Sequence, residues 1–310
     1  MIVVLFIVSL LVFLLTNFIG DPVDMLVPEN ATLVQIESAR ARLGLDKPLP
    51  VQYGIFIRDV LHGNFGKSYI YGKPAMDLIF ERMPATLELV AVAACLVLCI
   101  AIPLGVYAGA YPKRASSKLI MSGSILGISL PSFWVGMMMI YIFAVVLRLL
   151  PASGRGNTVM VGNVALSIFA PGGIRYVILP AITLALTNVA TMLRLTRSGI
   201  LENMRQDYIK FARAKGVPAK SILFGHALKN ALIPVVTIFG MDLGNMIAFT
   251  TITETIFAWP GMGKLLIDAI NKSDRPIIVA YLMAAACMFV VLNFIVDILY
   301  TLIDPRIELR

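Results

Sequence analysis

Asp207-Tyr-Ile-Lys-Phe-Ala-Arg-Ala-Lys-Gly-Val-Pro-Ala-Lys-Ser-Ile-Leu-Phe-Gly-His-Ala-Leu-Lys-Asn-Ala-Leu-Ile-Pro234 is a polar, basic island between two long apolar spans. It predicts two short helices meeting at a corner. Asp207 is placed to cap the first, its carboxylate satisfying open N–H groups at a positive helix end. Tyr208, Phe211, Ala212 and Lys215 share one face at helical spacing, while Lys210 and Arg213 point elsewhere. Gly216 can stop the helix in a left-handed conformation, and Pro218 can open the next at its first turn. A folded knob at a membrane surface suits a partner that grips it. An unstructured connection would not need a Gly216–Val217–Pro218 corner.

The surroundings of the island make the bilayer its solvent. The chain has 310 residues, of which 59% are hydrophobic and 14% charged, and its mean hydropathy is +0.87. Soluble domains carry about 25% charged residues, and no soluble fold hides so much apolar surface. The net charge of +8 is therefore read as the basic bias of cytoplasmic loops rather than as a nucleic-acid signal. Cys95, Cys99 and Cys287 all fall in apolar runs, without metal-site spacing or a disulfide framework.

A crossing helix needs about 20 apolar residues. Six runs qualify: 2–19, 86–110, 121–147, 177–193, 232–257 and 277–303. The first lacks the basic leader and the small-residue cleavage site of a signal peptide and is too long for one, so it is read as a retained helix. The absence of a Lys/Arg leader leaves two readings of the start open, Met1 as given or a longer native N-terminus, which an intact-mass measurement distinguishes. No internal repeat is evident.

Charge sets the orientation. With the N-terminus inside, segments 111–119, 194–230 and 304–310 hold 13 Lys and Arg in 53 residues. The opposite segments, 20–85, 148–175 and 258–276, hold 13 in 113. The inside density is twice the outside one, so both termini and the 207–234 island are expected on the cytoplasmic side.

Residues 20–85 are too many for a plain connection. Helical pieces are expected at 33–43 and 52–61, with aromatics Tyr53, Phe56, Phe65, Tyr69 and Tyr71 alongside, giving a small folded extracytoplasmic piece that reads either as a cover over the helix ends or as a surface for docking or substrate handling. Within the spans, Pro103 with Gly105 and Gly109 is expected to interrupt the second run, and Pro131 between Ser129 and Ser132 the third. Gly240 and Gly244 sit in the fifth. Small residues allow close helix approach in a movable bundle. Intramembrane charge is limited to Asp242, Glu254 and Asp297. Glu254 and Asp297 read as structural groups near the interfaces. For Asp242 the structural and functional readings both stay open.

The search for catalysis is negative. Gly66-Lys67-Ser68 resembles the end of a phosphate loop, but Leu61 stands where the first glycine belongs, and Gly263-Lys264 fails likewise. His62 and His226 have no partner at metal spacing. No Gly-x-Ser-x-Gly or His-Glu-x-x-His occurs. No covalent chemistry and no bound cofactor are expected in this chain.

Phe211-Ala212-Arg213-Ala214-Lys215-Gly216, nine residues, then His226-Ala-Leu-Lys-Asn-Ala-Leu-Ile-Pro234 resembles the coupling motif of binding-protein-dependent ABC importers. The general pattern is Glu-Ala-Ala, three residues, Gly, nine residues, Ile-x-Leu-Pro. Ala212 and Gly216 match it. Lys210 stands at the Glu position and Phe211 at the first Ala, departures common in the dipeptide/oligopeptide/nickel group. Gly20-Asp21-Pro22, Leu43 to Leu49, Gly63 to Ser68, Arg82 to Glu88, Glu254 to Gly263 and Asp304-Pro305-Arg306 are similar to the B-type permease subunit of that group, so the resemblance covers nearly the whole chain.

The resemblance implies an all-α polytopic membrane protein with the type I ABC importer permease fold. Its parts are a first transmembrane helix (1–19), a folded periplasmic loop (20–85), a type-1 core (86–303) with a coupling helix near 212–226, and a cytoplasmic tail (304–310). The implied partners are a second homologous permease subunit, two cytoplasmic ATPase subunits that hold ATP and magnesium, and a periplasmic or lipid-anchored binding protein, all in a bacterial or archaeal inner membrane. Ala212, Arg213, Ala214, Lys215, Gly216, Val217 and Pro218 are the expected ATPase contacts. The expected solute is peptide-like. A nickel chelate or another small solute of the group is the alternative, with a secondary transporter lacking ATPase partners as the rival class.

Overall fold

A computed structural model describes residues 2–18 and 32–303. The motifs at 20–22 and 304–306, the tail and the Asp297 side chain lie outside the described residues. The described residues are mostly helical, and the chain divides into two compact units, Met1–Thr86 with Pro260–Val290 and Leu87–Trp259 with Val291–Arg310.

The first unit begins with α1 (Ile2–Phe18), α2 (Leu33–Leu43) and α3 (Leu49–Leu61). Helix α2 falls where the sequence expects it, while α3 begins three residues earlier than expected, at Leu49, with Pro50 in its first turn. Thr32 and Gln35 form a reciprocal cap at the start of α2, and Gly44 ends it at φ 68°. Aromatic edges join α1 to α3: the Phe13 ring lies 5.3 Å from Tyr53 and 5.7 Å from Phe56, and the Ser9 and Tyr53 hydroxyls are 2.9 Å apart. Next come the start of α4 (Ala75–Ala110), then α11 (Met262–Asn271) and the first half of α12 (Arg275–Ile303). Ile79, Leu78, Met262, Leu265, Ile277 and Tyr281 make their shared core. The Thr86 hydroxyl accepts from the first α11 amide, Met262 N, at 2.9 Å, satisfying an otherwise open helix end. Buried Asp274 accepts from the Ser68 hydroxyl at 2.5 Å and from the Tyr69 N–H at 3.3 Å. The Gly66-Lys67-Ser68 segment is therefore a turn clamped by a carboxylate, not an anion cradle.

The second unit holds the rest of α4, α5 (Ala115–Ser129), α6 (Ser132–Met139), α7 (Ile174–Asn203), α8 (Asp207–Ala214), α9 (Ala219–Ser221), α10 (Leu228–Ile256) and the end of α12. Among the described residues, four helices are long and apolar enough to cross a membrane: 75–110, 174–203, 219–256 and 275–296. A fifth candidate is the pair α5 and α6, whose helix continues as a π-helical turn to Val146. The run expected at 121–147 is interrupted at Pro131, as the sequence predicts, and its first helix begins earlier, at Ala115. Leu130 is extended at φ −90°, ψ 130°, and the helices on either side meet at 105°. Proline drives the residue before it out of the helical region, and Pro131 has no N–H to continue the ladder. Pro103, by contrast, interrupts nothing: α4 runs unbroken for 36 residues. In a bundle, neighbouring helices can re-satisfy a carbonyl freed by proline.

The small residues near Pro103 serve packing. A Cβ on Gly105 would stand 2.6 Å from Thr196 Cβ and 2.8 Å from the Leu193 carbonyl oxygen, and one on Gly109 would stand 2.7 Å from Ile200 Cβ. Backbone of α4 thus lies directly on α7. Gly105→Leu is expected to cost about 1–3 kcal/mol by overpacking, read as a lower inactivation temperature in detergent. Gly123→Leu on α5, where a Cβ meets nothing within 4 Å, should be close to neutral.

An all-helical expectation needs one amendment. Val159–Val161 (β1) and Val164–Leu166 (β2) pair antiparallel across a two-residue Gly162-Asn163 turn, with Gly162 at φ 63°. Gly-Asn between valine-rich runs is a hairpin signal of the primed-turn kind. The segment is anchored by a buried carboxylate. Glu88 Oε1 accepts from the Ser167 and Ile168 amides, each at 2.7 Å, and from the Ser167 hydroxyl at 3.0 Å. Its other oxygen takes both ends of the Arg155 fork, at 2.9 and 2.5 Å. Arg155 also donates to the Ala165 carbonyl at 2.6 Å and stands over the buried Trp259 ring.

Candidate functional site

The island at 207–234 folds as a corner, with several departures from its expected form. Helix α8 begins after an extended Gln206, and no side chain caps it. Asp207 stands in the first turn instead, and its carboxylate takes the Lys210 ammonium at 2.7 Å. That hydrogen bond, with the attraction of the same charge, holds the carboxyl below its ordinary range. The face that α8 turns inward is centred on Ile209, one residue along from Tyr208. Ile209 is fully buried, against Val106, Ile200, Ile222, Ala227 and Ala231, with Ala212 and Val217 packed on the edge of the cluster. Tyr208 and Phe211 are 40% and 62% exposed. Tyr208 is tied down by its hydroxyl, which donates to Asn203 at 2.8 Å and accepts from Asn230 at 2.9 Å. Phe211 faces outward beneath the Lys215 ammonium, 4.4 Å from the ring centre.

The corner itself has the expected form. Gly216 sits at φ 75°. Its N–H donates to Arg213 O at 3.0 Å and the Val217 N–H to Ala212 O at 3.1 Å, the double bond pattern of a Schellman ending. Ala212 and Val217, the apolar pair that accompanies the motif, are both turned inward. Pro218 stands just before α9 at φ −58°, ψ 140°, rather than in its first turn. The second helix is not a separate short one. From Ala219 it continues through a π-helical stretch at Ile222–Ala227 into α10, giving a single helix from Ala219 to Ile256. Any push on the corner therefore acts on the end of a 38-residue rod. Of the seven expected contact residues, Ala212 and Val217 are half-buried. Arg213, Ala214, Lys215, Gly216 and Pro218 are exposed. Sequence reasoning missed Phe211 as an exposed apolar group and Ile209 as the anchor.

A second feature lies between α6, α7 and α10. A cavity of about 400 Å³ is lined by Ser132, Thr183, Thr187, Asn188, Thr191, Asp242 and Asn245, with Met246 and Phe249 among its apolar walls. Thr183, Asn188 and Thr191 each donate to a carbonyl one turn back on α7, at 2.9, 3.3 and 3.2 Å. Their own polarity is thereby satisfied, while oxygen lone pairs stay free to face the cavity. The stripe at 183, 187, 188 and 191 was legible as a helical period, yet hydroxyls in a membrane helix do not announce a cavity. Among the described residues, no three His, Cys, Asp or Glu side chains gather as a metal site would require.

Residues 101–309 match the family described as binding-protein-dependent transport system inner membrane component, and residues 1–90 match its N-terminal companion. The chain is 37% identical to the probable D,D-dipeptide transport system permease protein DdpB of Escherichia coli K12, over 97% of this chain and 92% of that one. It is 39% identical to the di/tripeptide transport system permease protein DppB of Pseudomonas aeruginosa (97% and 94%), and 38% identical to the oligopeptide transport system permease protein AppB of Bacillus subtilis (93% and 90%). Among solved structures, the MetNI methionine ABC transporter aligns with a TM-score of 0.57 at 16% identity, covering 74% of this chain and 97% of that one. At that identity the likeness concerns the fold alone. The chain belongs to the family of inner membrane components of binding-protein-dependent transport systems, and is a transport subunit rather than a catalyst.

Proposed function

We propose that this chain is one of two homologous permease subunits of an ATP-driven importer for a peptide-like solute. In this reading it crosses the membrane six times with both termini in the cytoplasm, α5 and α6 together making one broken crossing. Residues 20–85 then lie outside, where a binding protein delivers the solute. Two cytoplasmic ATPase subunits hold ATP and magnesium. Their closure moves the corner at 207–218 and opens the pathway by alternating access, since a partner shifts a two-state equilibrium by binding one state better. The named peptide permeases among its relatives support the substrate class.

The observation that carries this reading is the corner. A buried Ile209 and a Schellman ending fix its shape, while Phe211, Arg213 and Lys215 are left exposed on it, an aromatic and basic surface of the sort that anchors protein partners. Mild-detergent purification of the tagged chain is expected to bring ATPase subunits with it. Phe211→Ala should lower their recovery about tenfold, the loss of roughly 1.4 kcal/mol at an anchor residue. Recovery of no ATPase subunit with the unaltered chain would return the secondary-transporter reading.

A further inference from the structure

We propose that the cavity between α6, α7 and α10 is a station on the solute path, and that Asp242 is the counter-charge there for a protonated amine on the solute. This rests on the permease reading above and adds a chemical preference to it. Asp242 is the one ionisable side chain on the cavity wall; the other polar groups are neutral hydroxyls and amides. Its neighbour Asn245, less than one turn along α10, lines the same wall, and no cation lines the cavity to pair with Asp242.

A carboxylate in a membrane helix is costly unless it is put to use or neutralised. Here the wall supplies hydroxyl and amide oxygens that can accept from an ammonium, one carboxylate to balance its charge, and apolar surface from Met246 and Phe249 for an adjoining side chain. One carboxylate balances the single charge of an ammonium, whereas a divalent cation would keep a net positive charge on this wall. The volume of about 400 Å³ falls within the range of small-molecule sites, and a compact amine-bearing solute is what it fits. The unpaired negative charge also works against anions, so the site selects by repulsion as well as attraction.

The test uses the complete transporter in membranes: this chain with its partner permease, ATPase subunits and binding protein. Cys95, Cys99 and Cys287, all exposed, are first replaced by serine. Thr187→Cys then puts a reporter thiol on the cavity wall opposite α10. During ATP turnover it is labelled with a trimethylammonium-ethyl or a sulfonatoethyl methanethiosulfonate, and the ratio of rates is normalised to that of free 2-mercaptoethanol. The expected ratio favours the cation by about tenfold, the effect of one nearby charge in a partly aqueous site. It should fall to about one with Asp242→Asn and persist with Asp242→Glu. A ratio near one with Asp242 present, a ratio unmoved by Asp242→Asn, or no labelling by either reagent would overturn the proposal. Binding-protein-stimulated ATP hydrolysis is followed in the same membranes to show that each variant is assembled. If the unaltered complex shows no ATP-dependent uptake of radiolabelled dialanine, the peptide reading fails, while the labelling ratio still decides the role of Asp242.

Discussion

Replacing Gly216 by tryptophan is expected to leave the chain inserted and assembled in the membrane while reducing ATP-driven uptake by at least about tenfold. Two effects combine. A residue with a Cβ at φ 75° strains the backbone by roughly 1–2 kcal/mol, which loosens the ending that sets the direction of α10. Yet a Cβ at this position meets nothing within 4 Å, so the indole would project into open space and harm only what docks there. Gly216→Asn separates the two, because Asn tolerates the left-handed conformation and lacks the bulk; it should retain most uptake. Uptake and stimulated ATP hydrolysis both normal in Gly216→Trp would remove the corner from the mechanism.

The second large effect belongs to Glu88. Its carboxylate is 98% buried, and Arg155 nearly as deeply. Glu88→Ala strands the guanidinium and leaves the Ser167 and Ile168 amides without their acceptor. Removing one partner of a buried pair costs about 3–5 kcal/mol, so the inactivation temperature of the purified complex should drop by roughly 10 °C. The double replacement Glu88→Met with Arg155→Met should recover only the part due to the stranded guanidinium, because the Ser167 and Ile168 amides still lack their acceptor. A single variant that melts with the unaltered protein would show that this clamp contributes nothing to stability.

These cases also mark what a reader of the sequence can and cannot see. Local signals carried well. Gly216 takes the left-handed conformation its place demanded, Pro131 breaks its helix, and α2 runs over Leu33–Leu43 as expected. Errors arose where distant residues decide. Asp207 looks like a cap, but it is drawn into the first turn by Lys210 and by the burial of Ile209. Which face of α8 points inward depends on Val106 and Ile200, about a hundred and about ten residues away in sequence. Pro103 read as a break and interrupts nothing, while the glycines after it proved to be a contact surface for α7. Glu88 and Arg155 stand 67 residues apart, a separation at which no local pattern links two side chains. Asp242 was conspicuous as a charge in a span, but only the fold brings Thr187 and Asn188 to the cavity that it lines.

The central claim is that the corner after α7 lies in the cytoplasm and is gripped by an ATP-hydrolysing partner. A benzophenone-bearing phenylalanine analogue substituted at Phe211, irradiated in membranes of the assembled transporter, reads this directly. The account predicts a covalent adduct with an ATPase subunit. Adducts with the binding protein or lipid alone would contradict it.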